Sequence, residues 1–190
     1  MSPQRSNRQA LIEAALRCIE ERPAARITAR DIAAGAGANL GSIAYHFGST
    51  QLLVAEAVEE GFRRWLADVA SGAGDLSAAD PQERLLGLFE AARRSLDRHR
   101  GLFNVFLAAI ARSPNDPELR RVLARSYADS RSSLTSMLGL GDDAPGTVAA
   151  SLLLAAFDGL LIQAILDEDL PPSAASLAAA AERLAATVSP

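Results

Sequence analysis

The sequence predicts an all-α protein in which a small three-helix head precedes a larger helical body. Three observations carry this. Alanine is abundant and β-branched residues are sparse across the 190 residues, which favours helix over strand. No alternation of apolar and polar residues persists long enough for a strand, whereas apolar positions recur at helical spacing. The stretch from Thr28 to Thr50 also carries two short helical patterns separated by a glycine-bearing turn.

Taken in order, Ser6 and Gln9 form a capping box, and a helix to about Glu21 buries Leu11, Ala15, Cys18 and Ile19 before Pro23 stops it. Thr28 caps the next helix, with Asp31 three residues on and Ile27 and Ile32 placed as a hydrophobic staple. Ala33 lets two helices approach, Gly37 makes a left-handed exit, and Ile43 plugs the angle beyond. Asn39 caps the second of the pair, whose apolar face is Ile43 and Phe47. This spacing is that of a helix-turn-helix.

Ser49 is expected to cap a long helix from about Thr50 to Val69 that leaves the head and links it mechanically to the body. A loop over Ser71–Pro81 precedes a helix from Gln82 to His99. Gly101 is expected to break that helix, and Leu102–Ala111 to form another. A turn at Ser113–Pro117, a helix from Glu118 to Leu138 and a second loop over Gly139–Gly146 follow. Thr147–Asp167 is apolar on nearly every face, and Ser173 caps a last, alanine-rich helix. A monomer has little reason to keep both final helices so apolar. They are therefore expected to form a four-helix homodimer interface through Leu153, Phe157, Leu161, Ile165, Leu177 and Leu184. The domain boundary falls between 1–48 and 49–190.

The segment GANLGSIAYHFGST, after TARDIA, resembles the signature of the TetR family of bacterial transcription regulators. The close match runs from about residue 6 to residue 58, and FDGLLIQAILD is similar to the family's penultimate helix. The resemblance implies a helix-turn-helix DNA-binding domain over 1–48 and an effector-binding and dimerisation domain over 49–190. It also implies a repressor that binds a palindromic double-stranded operator and is released by a small-molecule effector.

In such a head the second helix enters the major groove tip first. Leu40, Gly41 and Ser42 form the tip: Leu40 for a thymine methyl, Gly41 for close backbone approach, Ser42 for a base edge or phosphate. Asn39 and Thr50 flank it. Tyr45 and His46 match family positions that grip phosphate, Arg30 matches one that reaches a base, and Thr28 offers its amide or hydroxyl to phosphate. Thr50 stands where the family most often has Lys, and Ala44 where Tyr or Asn is frequent. Both departures predict weaker, less salt-dependent binding, for which Arg5 and Arg8 are candidates to compensate. They are also the support for an alternative, a small-molecule-binding module of this fold with weak or no DNA binding.

Charge is distributed to match. Net charge is −4, and every basic residue is arginine. Residues 1–50 carry six arginines against four acids, the remainder thirteen against nineteen, so a mildly basic head sits on an acidic body.

Helical spacing makes core the default reading of the aromatic residues. The resemblance implies an apolar effector cavity among them, with Trp65, Phe89, Phe103, Phe106, Tyr127 and Phe157 as lining and Asn104, Asp158 and Gln163 as candidate polar contacts. No nucleophile with a base, no paired carboxylates and no metal-ligand spacing can be assembled, so neither an enzyme nor a cofactor is expected. GAGANLG has no preceding strand and its third glycine falls late for a nucleotide loop. Cys18 on an apolar stripe reads as core. The polar N-terminus and the shortness of the apolar run Leu152–Leu166 predict a cytoplasmic protein with no membrane span.

Overall fold

The computed structural model describes residues 7–21, 27–73, 80–167 and 169–188. Among them are eight α-helices, one 3-10 turn at Ser113–Asn115 and no strand. In chain order the helices are α1 (Asn7–Glu21), α2 (Ala29–Ala36), α3 (Leu40–Phe47), α4 (Thr50–Gly72), α5 (Pro81–Arg112), α6 (Pro117–Leu138), α7 (Ala144–Leu166) and α8 (Ala174–Val188). Ser6 and its expected capping box lie outside the described residues. The chain packs as two compact units, one holding residues up to Leu66 with Asp97–Tyr127, the other Ala67–Leu96 with the residues from Ala128 onward.

In the first unit α1, α2 and α3 pack on one another, with Leu11, Ile19 and Ile32 fully buried and Ile43 and Phe47 nearly so. Burying each such side chain contributes roughly 1.5–3 kcal/mol, so this small head is held chiefly by its apolar faces. Two glycines then bring α1 close to its neighbours. A Cβ on Gly61 of α4 would lie 2.7 Å from Leu102 and 3.0 Å from Leu16 side-chain carbons, and one on Gly101 of α5 only 2.2 Å from the carbonyl oxygen of Ile19.

The contact at Gly101 corrects an expectation. Gly101 does not break the helix; α5 runs unbroken for 32 residues. A glycine inside a helix costs only about 1 kcal/mol relative to alanine. At this position it is also the residue that leaves room for the backbone of α1. Ion pairs add to the same junction. Arg64 donates to Glu13 on α1 (Nη1 to Oε2, 3.0 Å) and to Glu60 one turn back (2.7 Å). The Arg63 hydrogen bond holds the Glu60 carboxyl below the ordinary range against the opposing effect of partial burial, and Arg64 lowers it further. The hydrogen bond to Glu13 raises the Arg64 guanidinium above its ordinary value.

The second unit takes its core from Val69, Ala91, Ala92, Leu138, Ala150, Leu161 and Ala164. Its helix starts differ from expectation by a few residues, and capping explains why. Asp143 accepts a hydrogen bond from Gly146 N (3.0 Å) and Pro145 stands in the first turn, so α7 begins at Ala144 rather than Thr147. Ser173 caps α8 as expected, accepting from Ser176 N at 3.2 Å. The longer α7 extends the apolar run. Its 23 residues are long and apolar enough, by length and composition, to cross a membrane, as core and interface helices of soluble proteins also are.

Candidate nucleic-acid interface

The turn between α2 and α3 is built from local hydrogen bonds that the sequence dictates. Thr28 Oγ1 accepts from Asp31 N (3.2 Å) and donates to the Asp31 carboxylate (2.6 Å). The acid thus meets the cap through the Thr28 hydroxyl. Gly37 exits α2 at φ 65°, a left-handed conformation that strains any residue with a Cβ. Asn39 Oδ1 then accepts from both Ser42 N (3.0 Å) and Ser42 Oγ (3.2 Å), starting α3.

These bonds decide which groups remain to meet DNA. The Thr28 hydroxyl is engaged, leaving its backbone amide and those of the following turn. The Ser42 hydroxyl proton is held by Asn39, so its oxygen is left as an acceptor, suited to an amino group on a base edge. A Cβ on Gly41 would stand 3.2 Å from Asn39 Oδ1, so glycine there protects the cap as well as allowing close approach.

Beyond the tip, Leu40 is 49% exposed and Tyr45 85% exposed. Tyr45 stands edge-on to His46 with ring centroids 4.9 Å apart, which braces the phenol on the outside of α3. His46 is half-buried in the last turn of that helix. Arg30 is exposed on α2 and has no ion pair among the described residues. Thr50 is half-buried at the start of α4, whose cap is Ser49, accepting from Leu52 N at 3.1 Å.

Of the two arginines expected to compensate for the missing cation at Thr50, Arg5 lies outside the described residues. Arg8 pairs with Glu56 and lies over the Phe47 ring, 5.0 Å from its centroid. Its guanidinium is thus tied to the head. The sequence-level reading missed this because the partners are 48 residues apart. Arg17 is also structural, donating to the Gly35 carbonyl at 2.8 Å.

The expected effector residues separate between the units. Trp65, Phe103, Phe106 and Tyr127 do come together, around Phe62, an apolar residue of the helix expected over 50–69 that was not among the expected effector contacts. The i, i+3 pair Phe62–Trp65 on one helix was the available signal. The rings meet edge to face, Phe62 to Phe106 at 4.9 Å and Trp65 to Phe103 at 5.3 Å, and so fill one another's space. Asn104 is exposed beside this cluster. Phe89, Phe157 and Asp158 belong to the second unit, each half-buried.

Among the expected interface residues, Leu161 is already buried, and Leu153, Phe157, Ile165 and Leu177 are half-buried. The Leu184 side chain lies outside what is described. The apolar side chains of α7 left in solvent are instead Val148, Leu152, Ile162 and Leu166.

Comparison with known proteins bears on both parts of the chain. Residues 11–57 match the family of bacterial regulatory proteins of the tetR type, and residues 81–189 match the C-terminal domain of BetI-type transcriptional repressors. A stretch of 126 residues, 66% of this chain, is 34% identical to the HTH-type transcriptional repressor KstR2 of Mycobacterium tuberculosis H37Rv. It covers 59% of that protein, so the chain matches less than two thirds of this relative's length. A structure from Pseudomonas aeruginosa PAO1, described as a transcriptional regulator, is similar with a TM-score of 0.65 at 26% identity, over 95% of this chain and 89% of that one. The multidrug binding protein EbrR, crystallised with proflavin, shares the fold with a TM-score of 0.63 at 24% identity, over 94% of this chain and 99% of that one. A helix-turn-helix head matched by one family model, joined to a helical body matched by another, makes this chain a member of the TetR family of bacterial transcription regulators.

Proposed function

We propose that the protein is a repressor that binds a palindromic operator as a homodimer and is released by a small, mostly apolar effector. The observation that carries the DNA-binding part is the outward face of the head. Leu40, Gly41 and Tyr45 are exposed on α3, with Arg30, which has no ion pair among the described residues, exposed on α2. Two such heads would read successive major grooves, roughly 34–36 Å apart.

Support for a homodimer comes from α7. Val148, Leu152, Ala155, Gly159, Ile162 and Leu166 recur at alternating spacings of four and three, the period of a coiled-coil seam. The four large side chains of that row are exposed, and a Cβ on Gly159 would meet nothing within 4 Å. A second copy of the helix laid along this seam would cover it, with the small central residues allowing close approach. We therefore propose this row, rather than the one containing Leu161, as the interface.

Effector response is supported by the proflavin complex of EbrR, a protein of the same fold. Transmission to the head would use α1, which Gly101 and Arg64 hold against α5 and α4. An effector releases the operator only to the extent that it prefers one conformation over the other.

Selection from random duplex DNA with the purified protein tests the reading. An enriched palindrome is expected, with affinity falling by about 1–3 kcal/mol for Arg30→Ala together with relaxed preference at one base. Tyr45→Ala is expected to weaken all sequences alike. An intact dimer that enriches no sequence would leave the small-molecule-binding module in its place.

A further inference from the structure

We propose that Asn39 is a positioning residue for sequence recognition. It holds the Ser42 hydroxyl as a pure hydrogen-bond acceptor, so that α3 selects adenine or cytosine over guanine or thymine at one position of each half-site. The role rests on the operator-reading head proposed above and names what one of its side chains reads.

A serine hydroxyl carries one proton and two acceptor lone pairs, and a free one turns to donate or accept as its partner requires. Such a side chain bonds to any base edge and to phosphate alike. At Ser42 that freedom is removed. Its backbone N–H donates to Asn39 Oδ1 at 3.0 Å, and its hydroxyl donates to the same oxygen at 3.2 Å. The Asn39 amide cannot be turned round, because its NH2 would then face a backbone N–H. With its proton engaged, Ser42 Oγ has nothing to donate to a phosphate, a keto oxygen or a ring nitrogen. It keeps its lone pairs, and no group among the described residues donates to them. The bond lies at the surface, beside the exposed Asn39, Leu40 and Gly41.

The surroundings favour this arrangement. A Cβ on residue 41 would stand 3.2 Å from Asn39 Oδ1, closer than ordinary contact, so Gly41 leaves that oxygen its room. The other capping hydroxyl of the motif makes a useful contrast. Thr28 Oγ1 both donates to the Asp31 carboxylate and accepts from Asp31 N, so it is occupied in both senses. In the major groove the donors are adenine N6 and cytosine N4, and guanine O6 and thymine O4 are acceptors. An acceptor-only oxygen bonds to the first pair and is repelled by the second. Arg30, which can only donate, reads the opposite chemistry from α2.

The test begins with selection from random duplex DNA by the full-length protein and by Ser42→Ala. The position at which their preferences differ is the one Ser42 reads. Wild type is expected to favour adenine or cytosine there by about fivefold, the worth of one hydrogen bond, and Ser42→Ala to favour neither. Asn39→Gly keeps the helix start nearly as stable but removes the acceptor. It is expected to lose the same preference while every other position keeps its own. Asn39→Asp retains an acceptor and is expected to keep the preference, with weaker binding of all sequences because of its negative charge. In the selected site, 2-aminopurine for adenine, or 2-pyrimidinone for cytosine, takes the amino group out of the major groove. That change should cost wild type the same factor and cost Asn39→Gly nothing.

Guanine or thymine at that position, no position altered by Ser42→Ala, or a preference that survives in Asn39→Gly would each overturn the assignment. The last result, with every sequence bound more weakly, is the signature of an asparagine that only caps the helix. Failure of the underlying reading looks different. An enriched palindrome with none of these dependences leaves the operator reader standing without this device, whereas a protein that enriches no sequence removes the reader itself.

Discussion

Gly101 of α5 and Gly159 of α7 look alike in sequence, each a glycine amid helical apolar residues, and the structure gives them opposite surroundings. At Gly101 the missing side chain is replaced by the backbone of α1, with the Ile19 carbonyl oxygen 2.2 Å from where a Cβ would stand. At Gly159 nothing lies within 4 Å. The first marks a contact completed within one chain. The second lies on an apolar row whose large members, Val148, Leu152, Ile162 and Leu166, remain in solvent. A glycine in a helix is thus uninformative until its neighbours are known: one secures the head, the other leaves a surface open to a second copy.

The comparison can be broken most forcefully at Gly101. Alanine gains about 1 kcal/mol of helix propensity. It also forces backbone against backbone, and overpacking costs about 1–3 kcal/mol or more where the neighbour cannot yield. Gly101→Ala is therefore expected to destabilise the protein by about 2 kcal/mol on balance in urea unfolding, with weakened operator binding because α1 is displaced. Unchanged stability would mean that α1 does not rest on α5 in this way.

The open side is tested next by Leu152→Glu. Little stability of the isolated protomer should be lost, since Leu152 is 67% exposed. Sedimentation should show dissociation, with about 2 kcal/mol or more lost from association if Leu152 lies at the centre of the seam. A dimer that survives this change is held elsewhere.

Gly159→Ala sharpens the same point. It should stabilise an isolated protomer by up to about 1 kcal/mol while weakening association, because the added methyl keeps the two helices apart. A variant more stable both as protomer and as dimer would exclude close approach at this position.

The smallest effect is expected at the ion pairs that Arg64 makes with Glu13 and Glu60. The Glu60 carboxyl is held below its ordinary value in the folded protein, so its stabilisation is present above the unfolded pKa of about 4.3. It is lost as pH falls through the lower folded value. Because Glu13, Glu60 and Arg64 are partly exposed, the contribution is modest and screened by salt. A melting series from neutral pH to about pH 3, at low and high salt, should show a small acid-side loss that Glu60→Gln removes.

The sequence alone determined a good deal. Local chemistry sufficed for the Thr28 and Asn39 caps, the left-handed exit at Gly37 and the burial of Ile43 and Phe47, because each depends on residues within one or two turns. The all-α class followed from composition and period, and the exposed face of α3 from the motif.

Tertiary structure decided the rest, wherever the deciding partner is distant in sequence. It showed that Gly101 continues a helix because Ile19 needs its space, and that Arg8 belongs to Glu56 and Phe47 rather than being free for phosphate. The Trp65 cluster closes around Phe62, whereas Arg84 Nε is buried without a partner among the described residues. On α7, apolar on nearly every side, periodicity could not say which face its own unit would cover. Only packing could, by burying Leu161 and leaving Leu152 and Leu166 in water.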